Sequence, residues 1–175
     1  MFMAYYEPEN AAIFALVSRE VQIHRLKQTG VKRTFCNLQT LRVEHMIVQM
    51  SVEKHKMSGK LLIVLGTKSK KATKSEIVAY RLDPKLEFEV IESHRWYWPE
   101  AQITSVYYKA GCGLILSAFN GFMEIYDPVQ INHSVWPTKG EKNATKYGSI
   151  STVVYSDALD IIAISGVSGK IYLLD

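Results

Sequence analysis

The chain has 175 residues, 47% of them apolar and 22% charged, which suits one globular domain and excludes a disordered or low-complexity segment. No run approaches the roughly 20 apolar residues of a membrane-crossing helix, and residues 1–8 lack the basic start and apolar stretch of a signal peptide. The formal net charge of +4 is far below that of a dedicated nucleic-acid binder, and Cys36 and Cys112 lie too far apart for a redox or metal motif. Two unpaired thiols point to an intracellular, cytoplasmic protein.

In chain order, residues 4–6 and 11–15 read as two strands separated by a Glu-Pro-Glu-Asn turn. Segment 21–25 (VQIHR) alternates with period 2, and 33–38 follows as a fourth strand. A second unit starts at 47–52 and continues through the stretched, lysine-rich hairpin 67–75 into 77–81 (IVAYR). Segment 87–92 alternates acid and apolar residues, as an outer, half-exposed strand does. Residues 94–100 (HRWYWPE) read as a connection to a third unit.

That unit pairs 106–117 as strand, Gly111-Cys112-Gly113 turn and strand, then passes through Asn120-Gly121 into 123–127 (MEIYD) and 131–136. Residues 137–148 form a second lysine-bearing connection. The last unit repeats the pattern: 153–164, a Ser168-Gly169 turn and 171–175 (IYLLD). Asn-Gly and Ser-Gly accept the positive φ of tight hairpin turns. The third strands end at 25, 81, 127 and 175, a period of roughly fifty residues that marks a repeat protein, where roughly 40–45 is usual before loop insertions.

Residues 103–127, a strand-turn-strand unit closing on Tyr126-Asp127, resemble a repeat of the WD-repeat β-propeller family, and the likeness extends over the whole chain. The departures from its pattern are specific. His24, Tyr80, Tyr126 and Leu174 stand where the family has Trp; the terminal Asp is kept at Asp127 and Asp175 but replaced by Arg25 and Arg81. The Gly-His dipeptide is missing, so the Ser/Thr-His-Asp-Trp network that stiffens each family blade is incomplete in every copy, and apolar packing is expected to hold the blades. The resemblance implies an all-β fold of four consecutive antiparallel, four-stranded blades at about 1–38, 45–92, 102–136 and 149–175, the last lacking its fourth strand. Closed rings take roughly four to eight blades, so the expectation is part of a larger ring of about seven, with remaining blades as partners.

Enzyme signatures are missing: there is no phosphate-binding Gly loop, no nucleophile elbow and no His-Glu-x-x-His. The expectation is a non-enzyme with no cofactor and no metal. The Gly-Cys-Gly triplet reads as a tight turn, and His24, Asp127 and Asp175 as packed or turn residues.

In the family, loops from second to third strands and loops between blades emerge on one face. This would gather Lys68, Lys70, Lys71, Lys74, Arg95, Lys139, Lys142 and Lys146 on one rim, opposed by Glu100 and Glu141. Such a rim attracts acidic protein surfaces, though lysine-rich loops also occur as merely solvated segments. Trp96 is a candidate contact beside it, or a core anchor with Trp98, because alternation puts both opposite Tyr97. Degenerate repeats with such loops look like those of large ciliary and flagellar proteins. That implies a non-catalytic scaffold in a cytoskeletal assembly such as the axoneme, with tubulin's acidic tail as a partner. The alternative is an RNA- or ribosome-biogenesis propeller, although modest charge disfavours nucleic acid; no membrane partner is implied.

Overall fold

The computed structural model describes residues 2–6, 11–15, 19–54, 58–69, 74–100, 102–109, 112–127, 129–130, 133–136 and 148–174. They form four antiparallel meanders. The first contains β1 (Phe2–Tyr6), β2 (Ala11–Ala15), β3 (Glu20–Thr29) and β4 (Lys32–Arg42). The second contains β5 (Met46–Lys54), β6 (Leu61–Lys68), β7 (Ser75–Asp83) and β8 (Glu89–Trp98). The third contains β9 (Ile103–Lys109), β10 (Gly113–Ala118), β11 (Met123–Tyr126) and β12 (Ser134–Trp136). The fourth has three strands, β13 (Ile150–Ser156), β14 (Ile161–Gly166) and β15 (Ile171–Leu174). The structure is thus all-β and built of three- and four-stranded sheets. Among the described residues no helix is long and apolar enough to cross a membrane.

Strand alternation stacks these sheets. In β6, Leu61, Ile63 and Leu65 face the first sheet, where Val21, Ile23, Leu41 and Val43 meet them. Leu62 and Val64 face the third sheet, with Ile103, Val106, Leu114 and Leu116. Burial on both faces explains why β6 reads as an unbroken apolar run and not as an alternating one. In β10, Leu114 and Leu116 pack toward the second sheet, while Ile115 packs toward the fourth against Ile150, Val153 and Ile164. Three apolar layers therefore sit between four sheets. The expected hairpin turns are formed, with Gly121 at φ 88° and Gly169 at φ 78°.

Several element boundaries differ from those read in the sequence, among them β3, which runs to Thr29, past residue 25. Strand β4 runs to Arg42, past residue 38, because Leu41 is drawn into the first apolar layer. Strand β8 continues to Trp98, so residues 94–98 belong to a strand and not to a connection; each of them pairs with β7, up to Ser75↔Trp98. Strand β12 is only three residues long. Apolar packing holds the blades together, as expected, and polar bonds that cross between sheets add to it. Gln49 Nε2 donates to the Thr104 carbonyl (2.9 Å), and the Tyr108 amide donates to Ser51 Oγ (2.9 Å). The Lys109 ammonium bridges Glu53 of the second sheet (3.0 Å) and Asp157 of the fourth (3.4 Å).

Candidate interaction surface

Each sheet closes onto a neighbouring connection through one backbone hydrogen bond at the same end of the stack. The Val43 amide donates to the Arg19 carbonyl (2.9 Å), Ser75 to Glu100 (3.0 Å), Phe119 to Gln102 (3.3 Å) and Val167 to Ser149 (2.8 Å). The described ends of the turns between second and third strands and of the links between sheets therefore lie together and form a rim. These contacts run through backbone amides and carbonyls, so they do not depend on which side chains the connections carry.

Lys68, the last residue of β6, and Lys74, just before β7, are exposed on that rim, with Lys68 registered against Ser75. Lys70 and Lys71, between them, lie outside the described residues, as do Lys139, Lys142 and Lys146. Glu100 stands close by and accepts a hydrogen bond from Asn120 Nδ2 (2.9 Å). Arg95 is set back from the rim, within β8, its guanidinium 3.7 Å from the buried Glu76 carboxylate. Tyr97 shares Arg95's face and is exposed. The alternation of β8 was the sequence signal that singled it out.

The two tryptophans point the other way. Trp98 is fully buried against the third sheet, and its indole N–H donates to Glu124 Oε2 at 2.6 Å. The Tyr126 hydroxyl donates to the same oxygen at 2.7 Å. Burial, and then the hydrogen bond to Glu124 together with its charge, push the Tyr126 phenol well above its ordinary pKa of 10. Trp96 is half-buried and packs its ring on Tyr126, 5.7 Å between centroids. Trp96 is thus part of the layer between sheets, and the Trp98-Glu124-Tyr126 group pins β8 to β11.

The remaining polar groups are engaged in local structure. Cys112 lies half-buried in the β9–β10 turn, its amide bonded to the Lys109 carbonyl (3.1 Å). Burial, with Asp160 and Asp157 adding to it, raises the Cys112 thiol to about 11. Asp127 Oδ1 accepts from the amides of Gln130 and Val129 (2.7 Å each), which hold its carboxyl below the usual range. His24 Nε2 meets Gln22 Oε1 at 3.1 Å. Among the described residues no three His, Cys, Asp or Glu side chains are grouped to hold a metal ion.

No family profile matches the sequence, and no curated protein matches it. Among solved structures, the chain is similar to one described as the Dos1 propeller, with a TM-score of 0.53 and 10% identity. The match covers 99% of this chain and 56% of that one, so the chain spans just over half the length of the structure it matches. At this identity the likeness shows the fold: the stacked sheets are blades of a β-propeller type.

Proposed function

We propose that the chain is a non-catalytic protein-interaction scaffold and contributes four blades to a larger propeller, whether the other blades lie in the same polypeptide or in another. The outer face of the fourth sheet carries this reading. Ile171, Leu173 and Val154 are 72%, 66% and 48% exposed there, while Tyr172, Leu174 and Val153 on the opposite face pack inward. At roughly 1.5–3 kcal/mol per fully buried aliphatic side chain, covering these three would contribute about 3–6 kcal/mol. That is a large share of a domain's typical stability of about 5–15 kcal/mol. A further blade is the surface that fits, since every other interface in the stack buries the same alternating positions. In sedimentation velocity the 175-residue chain alone is expected to associate with rising concentration, and Ile171→Glu with Leu173→Glu to abolish this. A wild-type chain that stays monomeric and melts in one cooperative step would overturn the reading.

Within such a scaffold, Lys68, Lys70, Lys71 and Lys74 suit an acidic protein partner of the kind exemplified by tubulin tails, consistent with an axonemal or microtubule-associated place. Reversing the charge of Lys68, Lys70, Lys71 and Lys74 should then weaken co-sedimentation with microtubules, and unchanged binding would remove the rim from the proposal. The RNA-binding alternative is separated by salt: it requires log K to fall by roughly one unit of slope for each phosphate contacted.

A further inference from the structure

The first sheet carries a second cationic feature, well away in sequence from the rim lysines. Strands β3 and β4 are ten and eleven residues long, whereas β2 has five, and its pairing with β3 stops at Ala11↔Arg25. Beyond that point β3 and β4 continue as a two-stranded ribbon through Leu26↔Phe35, Lys27↔Thr34, Gln28↔Arg33 and Thr29↔Lys32. No Asp or Glu occurs from residue 21 to residue 41. Lys27, Lys32 and Arg33 are exposed and form no ion pair with the described residues. Phe35 is 59% exposed and shares its face with Arg33, and Val31 at the tip is fully exposed.

β4 is also the edge of its sheet. A strand edge offers amides and carbonyls to an incoming strand, and β4, at about 3.4 Å per residue, is roughly 35 Å long. Toward its far end the Thr40 amide is already bonded to Gln39 Oε1 (3.1 Å), while Lys32, Arg33 and Thr34 are exposed. The other outer edges are less suited to an incoming strand. β12 and β15 have three and four residues, and β8 carries Glu89 and Glu92 beside Arg95. A second copy of β4 is a poor occupant, because antiparallel pairing would set cations opposite cations. An acidic strand meets the opposite condition.

We propose that β4 is a docking edge for an extended acidic peptide segment, which adds to the first sheet as a further strand. Lys32 and Arg33 lie on opposite faces of β4, so adjacent acidic residues on the incoming strand can each find a cation. Phe35, two residues along from Arg33 on the same face, takes an apolar side chain beside them. Main-chain pairing supplies affinity and these side chains supply selectivity, the general logic of strand addition. The residues involved are separate from the rim, so this inference stands or falls independently of the scaffold reading.

The test uses the full chain and a fluorescein-labelled peptide of about ten residues that alternates Glu-Glu with Val-Thr, read by anisotropy. Lys32→Glu with Arg33→Glu should weaken binding at least about tenfold, and Phe35→Ser about threefold. A fully N-methylated peptide of the same sequence should lose binding to a similar degree as the double charge reversal, because it cannot donate to the β4 carbonyls. Lys68→Glu with Lys74→Glu, on the rim, should weaken binding far less than the ribbon reversal does. Matching far-UV spectra and melting temperatures verify the fold, and Lys32→Gln with Arg33→Gln replaces the reversal variant if that unfolds. The proposal is overturned if the wild type does not bind, if the N-methylated peptide binds equally well, if the rim variant is the one that fails, or if a mixed-sequence DNA duplex of similar charge binds more tightly than the peptide.

Discussion

Gly66 lies in the middle of the stack on β6, with its missing side chain directed at the third sheet. A Cβ placed there would come within 2.9 Å of both Ile103 Cδ1 and Val106 Cγ2, and 3.3 Å of Ile103 Cγ2. Ordinary carbon contacts are about 3.5–4.0 Å, so both neighbours would have to retreat by more than half an ångström. The Ile103 methyl is the tip of a mobile side chain, but Val106 is β-branched and has little rotamer freedom. Overpacking of this kind costs about 1–3 kcal/mol. Replacing a strand glycine returns about 0.5–1 kcal/mol through lower unfolded-state entropy. Gly66→Ala should therefore lose about 0.5–2 kcal/mol, which lowers the melting temperature by about 1–8 °C for a chain of this size. Adding Ile103→Val removes the Cδ1 contact, and a double-mutant cycle should show a favourable coupling of about 1 kcal/mol. The measurement is urea unfolding of the four proteins followed by tryptophan fluorescence. A Gly66→Ala variant as stable as the wild type, or strictly additive double-mutant energies, would refute close approach of the two sheets at this point.

Other outcomes follow from the polar bonds between sheets. Tyr126→Phe removes one of two donors to Glu124 and should cost about 1–3 kcal/mol in the same unfolding assay. Lys109→Met should cost about 1 kcal/mol, since it leaves Glu53 and Asp157 without their shared cation. The hydrogen bond to Glu53 raises the folded Lys109 pKa above its ordinary value of 10.5. The stabilisation is therefore fully present below that pH and is lost as pH rises through the raised folded value. The stability gap between wild type and Lys109→Met should be constant from pH 7 to 9 and close only in strongly alkaline buffer; a gap that closes near pH 7 would contradict the assignment. Cys112, with its thiol at about 11, should be roughly one part in a thousand thiolate at pH 8. Its alkylation by iodoacetamide should accelerate with pH up to about 11, and a rate that levels off below pH 9 would count against burial of the thiol.

What could be read from the sequence alone was whatever depends on neighbours a few residues apart. Period-2 alternation located the strands, and Asn120-Gly121 and Ser168-Gly169 located two turns, because strand pleat and positive φ are local properties. Alternation likewise separated Tyr97 from Trp96 and Trp98. The extent of β8 was not legible: residues 94–98 look like a loop until β7 is alongside to pair with every one of them. The same holds for cohesion between blades. Trp98 and Glu124 are 26 positions apart, and Gln49 and Thr104 are 55 apart, so no local pattern could couple them.

The rim lysines show the remaining division. Their number and loop composition are sequence facts, but the separation of Arg95 from the rim and the docking of Trp96 on Tyr126 follow from strand register, which is fixed only when the sheets pack. The cationic ribbon of β3 and β4 lay in plain sight as a stretch without acids. Its meaning as an edge came from the tertiary structure, because only sheet order decides which strand lies outermost.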